Sequence, residues 1–223
     1  MNGDTTDSLA VDYYSDILCV WAWIAQRRNE ELLAEWKDRI VLRHHFVNVF
    51  GNTADKIGVR WSDRGGYEGF GEHVVSSAAP YESAPVRPDI WRSVRPTTSA
   101  NAHTILKAVE LNNGPDRASD FALVLRRSFF VDNADVGRLE VLYGLAQAHE
   151  IAVRPLQASI ASGEAIAALM QDYHRCQELG IKGSPSWILN EGRQVLFGNV
   201  GYRVLNANIA ELMKHPGQEA SWC

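Results

Sequence analysis

Ser15-Asp16-Ile17-Leu18-Cys19-Val20-Trp21-Ala22-Trp23 decides how this chain is read. It follows a run with strand-like alternation, Leu9, Val11 and Tyr13, and leads into a helical segment reaching Trp36. Cys19 therefore stands at a strand-to-helix junction, where free backbone N–H groups and the positive end of the helix dipole favour a thiolate over a thiol. That makes Cys19 the expected nucleophile. Asp16, three residues earlier, is a candidate for assisting proton transfer as well as a turn residue.

Outward from this stretch, the helix carries Ile24, Leu32, Leu33 and Trp36 against a wet face of Arg27, Arg28, Glu30, Glu31 and Glu35. Ile40 to Val47 is rich in β-branched and aromatic residues and reads as a second strand, so the two strands and their helix form a parallel βαβ unit. His44 and His45 are adjacent on that strand and point to opposite faces, so they cannot chelate one ion together. From Gly51 to Pro96 no clean period holds, and the segment reads as a long excursion with short helical pieces. Gly66-x-x-Gly69-x-Gly71 lies within it, without the strand or the spacing of a nucleotide loop.

Beyond Pro96 the pattern is helical. Thr97, Thr98 and Ser99 are expected to cap a helix that Asn112-Asn113-Gly114-Pro115 ends. Further helices are expected over Asp116 to Phe130, Gly137 to His149, a short one opened by Pro155, and Glu164 to Leu179 before Gly180. The chain then returns to β structure. Trp187-Ile188-Leu189 and Val195-Leu196-Phe197 flank a turn containing Gly192, and a helix from Val200 to Lys214 follows, with Pro216-Gly217 beginning a tail.

The 223 residues, 46% hydrophobic and 22% charged, with a formal charge of −5, describe an ordinary globular chain. No basic stripe supports nucleic-acid binding and no apolar run is long enough for a membrane span. The polar, acidic Met1 to Ser8 lacks the features of a secretory signal, so a soluble cytoplasmic protein is expected. Cys19, Cys176 and Cys223 are too few for a disulfide framework and show no metal-ligand spacing, so no metal site is expected.

Ser15-Asp16-x-x-Cys19-x-Trp21-x-x-Ile24, together with Glu178-Leu179-Gly180-Ile181-x-Gly183-x-Pro185 and, more weakly, Thr98-x-x-Asn101-Ala102-His103, resembles the DsbA family of thiol–disulfide oxidoreductases, in its FrnE-like cytoplasmic branch. The resemblance implies an α/β, thioredoxin-like fold (βαβ…ββα) with a large α-helical insertion. Residues 9–62 and 178–215 would make the thioredoxin-like domain, and residues 63–177 the insertion. It implies that Cys19 is the attacking cysteine, that Ser184–Pro185 is a cis-proline loop beside it, and that the Ser184 backbone pairs with an extended substrate segment. Trp21, Ala22, Trp187 and His103 would border the substrate.

Where the family carries its second cysteine this chain has Ala22, so Cys19 cannot resolve a mixed disulfide with a neighbouring sulfur. Cys176 is expected to be packed rather than resolving, and Cys223 lies on the tail. The leading expectation is monothiol exchange, with no tightly bound cofactor and with glutathione or another small thiol as co-substrate. The partner is then a disulfide-bearing protein or a small thiol, and the protein is a monomer or homodimer. Two alternatives stand beside it. One is a glutathione-dependent transferase or isomerase of the kappa-class or 2-hydroxychromene-2-carboxylate isomerase type. The other is a non-catalytic peptide-binding or chaperone-like protein.

Overall fold

A computed structural model describes residues 8–215 and 217. The expectations for the first seven residues, for Pro216 and for Cys223 lie outside the described residues. β1 (Leu9–Ser15), α1 (Val20–Trp36) and β2 (Ile40–Phe46) form the expected βαβ unit. The two strands run parallel, in a register pairing Leu9 with Ile40 and Ser15 with Phe46. Six helices follow: α2 (Gly66–Ala78), α3 (Ala100–Asn113), α4 (Pro115–Phe130), α5 (Leu139–Ala148), α6 (Val153–Ala161) and α7 (Glu164–Glu178). β3 (Ser186–Leu189), β4 (Gln194–Phe197) and α8 (Tyr202–Lys214) close the chain. The sheet order is β2-β1-β3-β4, with β3 antiparallel to both of its neighbours.

The period-two alternation of the strands sorts their side chains onto two faces. Val11, Tyr13, Trp187 and Leu189 pack with Ala25 and Leu32 of α1 and with Leu205, Ile209 and Leu212 of α8. Tyr14 and Ile188 face the other way, with Val47 and Cys176 of α7. The first turns of α1 bury Val20, Ala22, Trp23 and Ile24 in the core of the helical insert, so the insert sits directly on the Cys19 junction.

The excursion after Gly51 holds a thirteen-residue helix, α2, that periodicity does not reveal. Its glycines are packing devices. A Cβ at Gly69 would come within 1.8 Å of the Arg64 carbonyl oxygen, and one at Gly71 within 2.5 Å of that of Ile90. Glycine weakens a helical signature while permitting this close approach. At the start of α3 the expected capping is shared differently. Thr98 Oγ1 accepts from the Ala100 amide at 3.0 Å, whereas the Ser99 hydroxyl donates to Asp16 Oδ2.

A buried polar cluster fixes α3 and α7 to the edge of β2. Asp172 accepts from His45 Nδ1 and Lys107 Nζ, each at 2.9 Å, and from the Phe46 amide at 2.9 Å. His45 Nε2 reaches Asp12 Oδ1 at 3.2 Å. Burial alone would lower the His45 pKa, but its hydrogen bonds to Asp12 and Asp172 win and raise it from 6.5 to about 9. A raised folded-state pKa contributes stability that is complete below the unfolded value and is lost as pH rises through about 9. The cluster is therefore expected to contribute on the order of 3 kcal/mol at pH 6 that is absent at pH 10. Urea titrations at the two pH values check this, and His45→Gln should flatten the difference.

Candidate active site

Cys19 is the N-cap of α1, in extended conformation, and its carbonyl accepts the amides of Ala22 and Trp23, each at 3.1 Å. The chain can turn sharply here because Asp16 organises it. Asp16 Oδ1 accepts the Leu18 amide at 3.0 Å, and Oδ2 accepts the amides of Val49 and Phe50 and the Ser99 hydroxyl at 3.0, 2.9 and 2.8 Å. The Asp16 amide donates to Ser184 Oγ at 2.9 Å. One fully buried residue thus joins the β1–α1 turn, the segment after β2, the start of α3 and the loop before β3.

That loop brings the second half of the site. The Ser184–Pro185 peptide bond is cis, and the Cys19 thiol donates to the Ser184 carbonyl at 3.3 Å. Cys19 is 6% exposed. Burial is the largest influence on its thiol and pushes its pKa above the ordinary value. A hydrogen bond from Ser184 and the amides of Ala22 and Trp21 act the other way. The expectation of a thiolate at this junction is therefore corrected. The amide ends do favour the thiolate, but the insert packed over the first turn of α1 removes the water that would solvate the charge. The resting group is a protonated thiol held on a backbone oxygen.

The remaining candidates divide by position. Trp21 is half-buried beside Cys19 and packs on the insert core. Ala22 is fully buried, and its carbonyl accepts the Tyr13 hydroxyl at 3.4 Å. Trp187 is also fully buried, donating its indole N–H to Asn29 Oδ1 at 2.9 Å, so it is core and not a substrate wall. Its strand position turns the ring toward α1, beneath Tyr13. His103 is corrected in the same way. It is fully buried, stacked on Phe46, with Nε2 accepting the Ile17 amide at 3.2 Å and Nδ1 donating to the Tyr173 hydroxyl at 3.1 Å. Burial lowers its pKa to about 4, so it stays neutral and supports the backbone two residues before Cys19.

Cys176 faces β2, with Sγ 3.6 Å from the Phe46 carbonyl, and burial pushes its thiol to about 12. It is packed, as its helix position suggests. Sequence reasoning missed several participants. Ser99 and Tyr173 act through Asp16 and His103. Arg126 of α4 is fully buried and donates to Ser15 Oγ at 2.7 Å. An arginine on an amphipathic helix carries no signal that it turns inward. Phe197 is 63% exposed on β4, and its ring lies over Gly183, where a Cβ would come within 2.6 Å of it.

The comparisons bear on this arrangement directly. Residues 10–210 match the model of the DSBA-like thioredoxin domain. The chain belongs to that family. Its members are thiol–disulfide oxidoreductases, which agrees with a cysteine at the β1–α1 junction opposite a cis-proline loop. Among solved structures, the chain is similar to a Nitrosomonas europaea protein provisionally named a protein disulfide isomerase. They share 18% identity and a TM-score of 0.79, over 95% of this chain and 100% of that one. It is also similar to the cytosolic disulfide reductase DsbM from Pseudomonas aeruginosa, solved with GSH, at 19% identity and a TM-score of 0.67. That match covers 91% of this chain and 100% of the other. A 2-hydroxychromene-2-carboxylate isomerase gives 16% identity and a TM-score of 0.66, covering 93% and 97%. No curated protein sequence matches the chain. Among the described residues, no helix of this DsbA-family protein is long and apolar enough to cross a membrane.

Proposed function

We propose that this protein is a monothiol exchange enzyme, acting through Cys19 with glutathione or a similar small thiol as co-substrate. The observation that carries the reading is the pairing of Cys19 Sγ with the Ser184 carbonyl at 3.3 Å, while buried Ala22 stands where the second sulfur would be. Cys19 loses its proton to water and attacks one sulfur of a disulfide. A Cys19–sulfur bond forms, the substrate S–S bond breaks, and the other half leaves as a thiolate. A second thiolate then attacks the mixed disulfide, forms a new disulfide with the bound half and returns Cys19 as thiolate. Among the described residues, the one other sulfur of a cysteine, that of Cys176, is packed on the Phe46 carbonyl and does not compete with that second step. An extended substrate would pair with the Ser184 backbone and rest on Trp21 and the exposed Phe197 ring.

Incubation with glutathione disulfide is expected to add one glutathione to Cys19, visible in the intact mass, and reduced glutathione should remove it. An unmodified Cys19 after prolonged incubation would overturn the proposal. The pH dependence follows from the raised thiol pKa. The thiolate fraction is small at neutral pH, so the alkylation rate of Cys19 should still be climbing beyond about pH 9.5, a unit above the ordinary thiol pKa, where an ordinary cysteine levels off. A plateau below pH 7 would contradict it.

The missing second sulfur also favours a glutathione-dependent isomerase or transferase. In that reading Cys19 only holds the glutathione sulfur, and no mixed disulfide accumulates. Turnover of an electrophile with glutathione, without exchange on a disulfide substrate, would select it.

A further inference from the structure

β2 is an edge of the sheet, and its outer side is only partly covered. The Val47 amide donates to the Ser15 carbonyl at 3.1 Å, so Val47 faces β1 and alternate residues behind it do the same. Phe46, His44 and Leu42 consequently turn their N–H and C=O groups outward. Those of Phe46 are taken, the amide by Asp172 at 2.9 Å and the carbonyl by Cys176 at 3.6 Å. Among the described residues, no hydrogen bond partner meets the outward groups of Leu42 and His44.

They open into a slot between the sheet edge and the insert. A cavity of about 500 Å³ lies between α1, β2 and α4, and a second of about 280 Å³ continues it toward the α3–α4 turn. Val41, Leu42, His44 and Asp116 line both. Buried in the walls are Gln26 Oε1 and His44 Nδ1, each without a hydrogen-bond partner. The far wall is acidic. Asp116 and Asp120 are exposed, one turn apart on α4, and make no ion pair among the described residues. Residues i and i+4 on a helix stand about 6 Å apart, close to the spacing of alternate side chains on an extended strand.

We propose that the free edge of β2 is a docking slot for an extended, lysine- or arginine-bearing segment of a partner polypeptide. The segment adds to the sheet beyond Leu42 and His44 and sets alternate basic side chains against Asp116 and Asp120. Backbone pairing supplies the fit to an edge strand and the carboxylates supply the charge preference. The slot runs along β2, whereas Cys19 lies beyond the carboxyl end of β1, so a docked segment leaves the thiol free to react.

The probe is acetylated and amidated Lys-Val-Lys-Val-Lys, with Glu-Val-Glu-Val-Glu as its charge-reversed control. The expected result is slowed hydrogen exchange at the Leu42 and His44 amides with the basic peptide only. Affinity should fall with salt, and fall about tenfold in Asp116→Asn with Asp120→Asn, while the Cys19 alkylation rate is unchanged. A version of the basic peptide N-methylated at every backbone nitrogen should not bind. Equal binding of the acidic peptide, or no change at the two amides, would overturn the proposal. So would protection that appears without peptide and grows with protein concentration, since a second copy of the chain would then occupy the edge.

Discussion

Cys19→Ser is expected to lower disulfide exchange to the uncatalysed background and to abolish the glutathione adduct, with the fold intact. The oxygen is close to the sulfur in size and keeps a proton to donate to the Ser184 carbonyl, so the contact at 3.3 Å has a substitute. What is lost is nucleophilicity, because a serine hydroxyl in that setting has no adjacent general base. His103 cannot serve as one, since its Nε2 is occupied by the Ile17 amide. Cys176→Ser is the matched control and should leave exchange unchanged, its sulfur being packed against the Phe46 carbonyl. Intact mass and exchange kinetics on the two variants read both outcomes. Exchange surviving Cys19→Ser would remove the proposed chemistry and leave a binding function.

Asp16→Ala carries the largest expected loss of stability, about 3–5 kcal/mol. Three backbone amides and the Ser99 hydroxyl would lose a charged acceptor inside a region closed to water. Each orphaned donor carries its own desolvation cost, and the alanine methyl offers nothing in exchange. The sign of the effect on the thiol is opposite. Asp16 is among the groups that raise the Cys19 pKa, so the surviving folded protein should alkylate faster at neutral pH. Urea unfolding and alkylation rates measured together test the pair. A stability loss under about 1 kcal/mol would show that the hydrogen bonds do not hold the junction together.

The two outcomes separate roles that the sequence places side by side. Asp16 and Cys19 stand three residues apart, and proximity suggests shared proton chemistry. Asp16 instead spends its oxygens on Leu18, Val49, Phe50 and Ser99, all of them backbone or hydroxyl donors. It is a structural anchor whose charge acts on the sulfur only through space. The same distinction applies to Ser184. Its hydroxyl holds the Asp16 amide while its carbonyl holds the thiol, so one residue couples the two loops.

The βαβ start, the cysteine at its junction, the long helices of the insert and the closing hairpin are legible in the order of the residues alone. Each of these is written in a local period or a turn residue, within the reach of one element. The alanine at position 22 is legible there too, because an absent sulfur needs no coordinates to be noticed. Which polar residues face inward depends on packing between segments far apart in the chain. Trp187 and His103 read as cleft candidates and Arg126 carried no signal at all, yet all three are fully buried, since their surroundings come from residues more than 60 positions away, such as Asn29, Ile17 and Ser15. α2 escaped notice because its glycines serve contacts with Arg64 and Ile90, and close approach leaves no periodic trace. The protonation of Cys19 was decided last of all. A helix terminus favours a thiolate wherever it occurs, but the cost of burying that charge depends on what the rest of the chain packs over it.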